Sequence, residues 1–297
     1  EAGIRNAHLY VDASTLNSME EIEAAVLKYT VFGRVTPAQK RQFVQALKKH
    51  GKTVAMTGDG VNDILALKDA DCSIAMASGS DAAAQAAQLV LLDSNFACMP
   101  SVVMEGRRVV NNIQRSASLF LVKNIFSFLM SIFSVVFMIT YPLEPSQISL
   151  ISMFTIGIPA FLLALEPNKN IIEGHFLTNV LLKALPAGLT DFFVVGALVV
   201  FAEVFEVNST DISTAATMLL AIVGFMILFR ISRPMDKIRW GIFIFSIVGL
   251  IFSSTALREL FAITGMSMKC IMLFGVFTIV TEPMMRYLTL LFEWIQK

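Results

Sequence analysis

Six long apolar stretches fill the second part of the 297-residue chain, and they constrain its fold more than any other feature. Each has roughly the 17–25 residues that an α-helix needs to cross about 30 Å of hydrocarbon. Hydrophobic residues make up 56% of the sequence and charged residues 15%, unlike a soluble globular protein. We therefore predict an all-α polytopic membrane domain over 118–297, with transmembrane helices at about 118–140, 148–165, 181–203, 212–231, 239–257 and 270–291.

The charges between these stretches predict an orientation in the membrane. The loop 230–239 carries four cationic residues, whereas the loop 203–211 carries three acidic residues and no Lys or Arg. Because cytoplasmic loops are enriched in Lys and Arg, we predict that both ends of the chain are cytoplasmic, in the plasma membrane. Arg258 and Lys269, in another outer loop, run against this pattern. The formal net charge is zero, so nothing indicates a nucleic-acid partner.

The first part of the chain, 1–104, has the pattern of an α/β domain of the Rossmann-like type. Short apolar runs alternate with segments of helical character, which indicates parallel strands covered by helices, with ligands bound beyond the carboxyl ends of the strands. Residues 105–117 keep helical character directly into the first apolar stretch, so we predict a stiff stalk helix there. The predicted strands are 8–11, 30–32, 52–56, 72–76 and 89–92.

The stretch "TGDGVND", from Thr57 to Asp63, places two carboxylates four residues apart directly after a predicted strand. Such a pair forms an oxygen-rich site suited to Mg²⁺, which also removes a repulsion of about 4 kcal/mol between charges about 4 Å apart. Gly58 and Gly60 would let the backbone approach a ligand, and Asn62 can donate a hydrogen bond to a phosphoryl oxygen. The alternative is an ordinary Asp-Gly turn in which Asp63 caps a helix.

Several segments together resemble the P-type ATPases, whose phosphorylation domain belongs to the haloacid dehalogenase (HAD) superfamily. "TGDGVND" and "ALKDADCSIAM" resemble the hinge region of that domain, and "FGRVTPAQK" resembles its lysine segment. "EGRRVVNNIQRS" resembles the stalk of the fifth membrane helix, and "IGIPAFLLALEPN" resembles the sixth. The resemblance covers nearly the whole chain and implies a partial HAD-type domain followed by membrane helices five to ten.

The resemblance also implies roles for individual residues. Asp59 would be the Mg²⁺ ligand, within a cofactor-binding segment that includes Thr57 and Gly58. Asn62 and Asp63 would support the phosphate and Mg²⁺ site, and Lys40 would stabilise phosphoryl charge. Without the resemblance, Lys40 would be interpreted as a solvated helix lysine.

In that family ATP phosphorylates an aspartate in a DKTGT motif, and a TGE loop helps to hydrolyse the phosphoenzyme. Neither string occurs in this sequence. We therefore expect the N-terminal half of the same polypeptide to carry the phosphoacceptor and the nucleotide site, and this segment to be inactive alone.

Polar residues inside the first two apolar stretches suggest a cation path through the bilayer. The candidates are Asn124, Ser127, Ser152, Thr155 and Glu166, near Gly157 and Pro159, which can loosen a helix and free its carbonyls. For any single Ser or Thr, a hydrogen bond back to its own helix is the alternative.

Other intramembrane charges have alternative interpretations. Lys123 would either act as a built-in counter-charge or extend to the headgroups. For Asp191 and Glu282 we predict positions near an interface or in pairs with neighbours. Calcium and sodium pumps of this family place acidic side chains on these first two helices, where Ser127 and Ile156 stand here.

These observations predict an ATP-driven pump for Ca²⁺ or another metal cation. A pump for lipid or polyamine is the alternative within the same superfamily. A membrane-tethered phosphatase or a non-catalytic module is the alternative from another class.

Overall fold

The computed structural model describes residues 4–166, 170–172 and 174–296. It forms two compact units, Glu1–Val102 and Val103–Lys297. The predicted boundary of the first domain was 104. Pro167 and Asn168, which end the segment "IGIPAFLLALEPN", lie outside the described residues.

The first unit is an α/β fold in which every strand pairing among the described residues is parallel. Its strands are β1 (Tyr10–Asp12), β2 (Val31–Gly33), β3 (Ala55–Gly58), β4 (Cys72–Met76) and β5 (Leu89–Leu91). The predicted alternation of strands and helices is confirmed. The strands are divided between two sheets, however, with β1 paired to β2 in one and the order β3-β4-β5 in the other.

Three of the four α-helices described in the first unit begin at a side-chain cap, at Ser18, Thr36 and Ser80. Their bounds are α1 (Met19–Lys28), α2 (Pro37–Lys49), α3 (Ile64–Asp69) and α4 (Asp81–Ala86). At the start of α2, Thr36 and Gln39 exchange hydrogen bonds in a capping box, and Pro37 occupies the first position. Val44 of α2 and Ala66 of α3 are buried together, which holds the two helices side by side.

Six helices among the described residues are long and apolar enough to cross a membrane, as predicted, and they form the second unit. One of these six is interrupted, because a π-helical turn at Met153–Gly157 joins α6 to α7. The helices are α5 (Met99–Phe137), α6 (Pro145–Ser152), α7 (Ile158–Ala164), α8 (Phe176–Val204), α9 (Ser209–Ile231), α10 (Lys237–Ala256) and α11 (Met268–Gln296).

Helices α8 and α9 lie at the centre of this unit. In their apolar windows 61% of the residues are buried, compared with 17% in α10 and α11. The core they share with α5 includes Met130, Val195, Leu198 and Leu219. Helix α5 is continuous from Met99, six residues before the predicted start of the stalk.

Candidate functional site

The segment Thr57–Asp63, which we call the glycine-rich corner, lies at the carboxyl end of β3. Thr57 is half-buried within the strand, opposite Ile74 of β4. Asp59 is the first residue after the strand, and its carbonyl accepts a hydrogen bond of 2.8 Å from the N–H of Ser80. A 3₁₀ turn at Val61–Asp63 then leads into α3. The corner thus occupies the edge of the sheet where parallel α/β proteins bind ligands.

Lys40 and Asp63 meet in this corner. The Nζ atom of Lys40 lies 2.6 Å from Oδ1 of Asp63, whose side chain is only 6% exposed. Because an ammonium group neutralises the Asp63 carboxylate, the repulsion expected between the two aspartates is relieved by the protein itself. The interpretation of Lys40 as a solvated lysine therefore does not describe its contacts.

The structure also shows that the alternative interpretation of Asp63, as a residue that caps a helix with its side chain, is wrong. Asp63 precedes α3, but its side chain makes no cap hydrogen bond to that helix. Its second oxygen, Oδ2, instead faces the backbone N–H of Gly60 at 3.5 Å. A Cβ atom at Gly58 would lie 2.5 Å from the Cβ atom of Asp63, so glycine is required there to make room for Asp63.

Asp59 and Asn62 are the exposed polar residues of the corner. Asp59 forms no hydrogen bond through its side chain and no ion pair with any described residue. Its carboxylate therefore fits the single carboxylate contact with which proteins often hold Mg²⁺ beside a phosphate. No group of three or more His, Cys, Asp or Glu side chains suited to a metal occurs among the described residues, so the other ligands would be water, phosphate or groups elsewhere in the polypeptide.

A cavity of about 40 Å³ lies within the second unit, between α5, the interrupted helix, α8 and α9. It has room for about two or three water molecules. Most of its lining is apolar and includes Ile156. Its polar lining consists of Lys123, Ser127, Ser152, Thr155 and Asp191.

Three of the predicted path residues are therefore brought together, and their hydroxyl groups are already hydrogen-bonded. Ser152 donates to the carbonyl of Ile148 at 2.7 Å, and Thr155 donates to that of Ile151 at 2.8 Å. Ser127 shares a hydrogen bond with Tyr141, whose pKa is raised by burial and lowered to a smaller extent by this bond. The predicted back-bonds to the helix exist for Ser152 and Thr155. Since each back-bond uses only the donor, the oxygen lone pairs stay available to a cation.

The π-helical turn follows from Gly157 and Pro159, as their positions suggested. Pro159 has no N–H to donate to the carbonyl of Thr155, four residues earlier. Gly224 of α9 lies against this turn, and a Cβ atom there would be 2.8 Å from the Cβ atom of Thr155. Backbone irregularity inside a membrane helix is tolerated where protein surrounds it or where it lines a cavity.

Asp191 lines the cavity, which its sequence context did not lead us to predict. We predicted a position near an interface or a pairing with a neighbour, but its side chain is buried, with 4% of the residue exposed. Its Oδ1 atom has no hydrogen-bond partner in the part of the chain that the structure describes. The sequence offered one signal for this residue, since a lone acid in the middle of an apolar stretch is unfavourable in a membrane and is usually functional.

Two other predicted path residues lie elsewhere. Asn124 is on an exposed face of α5 and does not line the cavity. Glu166 accepts two hydrogen bonds of 2.8 Å from Arg239 and lies 3.9 Å from Arg115. Glu166 is therefore part of an ion-pair cluster at the end of α7.

Comparisons with known proteins bear on both units. Residues 10–71 match the family model of the haloacid dehalogenase-like hydrolases. The chain is 40% identical to the probable cation-transporting ATPase exp7 of Streptococcus pneumoniae, with 94% of this chain and 37% of that protein covered. It is 42% identical to the calcium-transporting ATPase CtpE of Mycolicibacterium smegmatis, with 87% and 35% covered. A calcium-transporting ATPase of Bacillus subtilis is 34% identical, with 71% and 25% covered. The chain thus spans about a third or less of the length of these relatives.

Proposed function

The chain belongs to the P-type ATPases, and from this premise we propose that the polypeptide containing it is an ATP-driven cation pump that carries Ca²⁺. The cavity in the membrane unit supports this proposal, because the buried carboxyl group of Asp191 and the hydroxyl groups of Ser127, Ser152 and Thr155 all line it. The names of the relatives, which include cation- and calcium-transporting ATPases, support the choice of ion. The cavity volume of about 40 Å³ favours a small cation over a phospholipid or a polyamine.

We propose that the glycine-rich corner supports phosphoryl transfer from ATP to an aspartate outside this segment. The exposed carboxylate of Asp59 would hold Mg²⁺, which supplies positive charge next to the phosphate when it is bound. Lys40 has three N–H donors. Asp63 accepts from one of them, so the others remain available to a phosphoryl oxygen. In this arrangement Asp63 orients Lys40, and Asn62 offers a further donor to the phosphate.

For the cation path we propose Ser127, Ser152, Thr155 and Asp191. Asp191 would supply the negative charge, while Lys123 would balance that charge when no cation is bound. Glu166 is left out because Arg239 and Arg115 already surround it. Asn124 would join the path only through contact with a helix from elsewhere in the polypeptide. Both ends of the chain are proposed to be cytoplasmic, in the plasma membrane.

Substitution of Asp59 in the full-length protein tests the phosphoryl part of this proposal. Asp59→Ala should lower Mg²⁺-dependent ATP hydrolysis by at least about a hundredfold, since it removes the ligand that places the metal charge at the phosphate. Asp93→Ala removes an exposed carboxylate after β5 and serves as the matched control with normal turnover. Normal turnover of Asp59→Ala would exclude Asp59 as the Mg²⁺ ligand. Stimulation of hydrolysis by a lipid or a polyamine, and not by a cation, would favour the alternative pump.

A further inference from the structure

A second pocket in the membrane unit is strongly cationic. It has a volume of about 340 Å³ and lies where α5, α8 and the loop between α9 and α10 converge. Arg115, Lys183, Arg233 and Arg239 line it, together with amide side chains and three isoleucines. None of the described lining residues is acidic. The pocket is separate from the cavity that contains Asp191.

Arg115 has a weak ion pair but a buried nitrogen that no described residue accepts a hydrogen bond from. Its side chain is only 8% exposed, and its Nη1 atom has no hydrogen-bond partner among the described residues. The nearest carboxylate, Glu166, is 3.9 Å from this nitrogen and is engaged by Arg239 at 2.8 Å. A buried guanidinium nitrogen without an acceptor is unfavourable, so it calls for an acceptor that is not a side chain of the described residues.

Lys183 and Arg233 add positive charge to the pocket that no described carboxylate compensates. Lys183 forms no hydrogen bond or ion pair with any described residue. Arg233 lies over the ring of Phe229, with its guanidinium carbon 4.9 Å from the ring centroid, which orients the group without neutralising it. Glu166 and Asp236 both lie next to Arg239. One anionic hydrogen-bond acceptor near Arg115 and Lys183 would therefore satisfy the free donors and reduce the positive charge of the pocket.

We propose that this pocket binds a phosphate-bearing anion, either the headgroup of an anionic phospholipid or free phosphate. Arginine fits phosphate through paired N–H donors, and lysine adds a point charge. Basic pockets between membrane helices are suited to anionic headgroups. Ile171 lines the pocket and is 69% exposed, so apolar surface for an acyl chain lies beside the charges. The inference does not depend on the proposed pump activity.

The test measures binding to the full-length protein in lipid nanodiscs. In one arm, native mass spectrometry measures retained phosphatidylglycerol relative to phosphatidylcholine. In the other arm, inorganic phosphate is added to phosphatidylcholine nanodiscs and the thermal stability is followed. The variant is Lys183→Gln, because Lys183 has no partner among the described residues whose loss would disturb folding. Lys237→Gln removes a nearby exposed cation that does not line the pocket and is the matched control.

Lys183→Gln should weaken binding by about tenfold, the effect of one charge-assisted hydrogen bond, whereas Lys237→Gln should bind as the unmodified protein does. Loss of phosphatidylglycerol retention in Lys183→Gln alone identifies a lipid headgroup. Loss of phosphate stabilisation in Lys183→Gln alone identifies a soluble anion. Absence of selective binding in both arms, or an equal loss in Lys237→Gln, would overturn the proposal.

Discussion

The contact between Lys40 and Asp63 joins residues that lie 23 positions apart, and it determines which carboxylate of the corner is free. Asp63 is buried and neutralised, while Asp59 faces outward. Two aspartates four residues apart thus have different environments. One holds a lysine in place, and the other remains available to a metal.

Removal of the Lys40 charge should therefore destabilise the first unit. Lys40→Met leaves Asp63 buried without its cation and should cost about 1–3 kcal/mol, seen as lost hydrogen-exchange protection in β3 and α3 of the full-length protein. Lys49→Met is the control, because Lys49 forms an ion pair with Glu23 and its own side chain is 66% exposed. Such surface ion pairs contribute about 0–1 kcal/mol to the free energy of unfolding. The double change Lys40→Met with Asp63→Asn should recover protection without recovering ATP hydrolysis. Equal protection in Lys40→Met and Lys49→Met would contradict this account of the ion pair.

The positions of individual residues could be predicted from the sequence where they depend on neighbouring residues in the chain. Asp59 follows an apolar run and a glycine, so its position at a strand end could be predicted. The family resemblance implied a role for Lys40 at the phosphate, but its contact with Asp63 was not predicted, since no local pattern relates a residue in α2 to the start of α3. The position of Asp191 depends on which helices are neighbours, and the chain's periodicity does not specify that.

Among the elements, α5 and the interrupted second span both line the cavity but differ in regularity. Helix α5 runs without interruption from Met99 to Phe137 and contributes Lys123 and Ser127 to the cavity. The second span instead changes to a π-helical turn where it meets the same cavity. We expect the continuous helix to transmit movement from the phosphorylation domain and the irregular one to present oxygen atoms.

Two glycine substitutions in the exposed part of α5 test whether the helix transmits movement. Val109 and Ile113 are 45% and 53% exposed, and each change to glycine weakens a helix by about 1 kcal/mol relative to alanine. In the full-length protein, Val109→Gly with Ile113→Gly should lower the number of cations transported per ATP hydrolysed while hydrolysis continues. Val109→Ala with Ile113→Ala is the control for lost side chains. An unchanged transport ratio in the glycine variant would exclude a requirement for a stiff α5.

At the scale of the whole molecule, the architecture could be predicted and the interior contacts could not. Apolar length predicted six spans, and the alternation of strands and helices predicted parallel pairing, because both depend on residues close in sequence. The division of five strands into two sheets and the place of Glu166 among arginines depend on tertiary packing. The same holds for the cationic pocket around Arg115.

We propose that the cavity around Asp191 binds the cation and that phosphoryl transfer at the corner around Asp59 drives its transport. The most direct measurement is the cation concentration that gives half-maximal ATP hydrolysis by the full-length protein. For Asp191→Asn we predict that this concentration increases by about tenfold or more, since a charged ligand is lost. For Glu282→Gln, which changes an exposed acid of α11, we predict that it stays the same. The same cation dependence in both variants and in the unmodified protein would contradict the account.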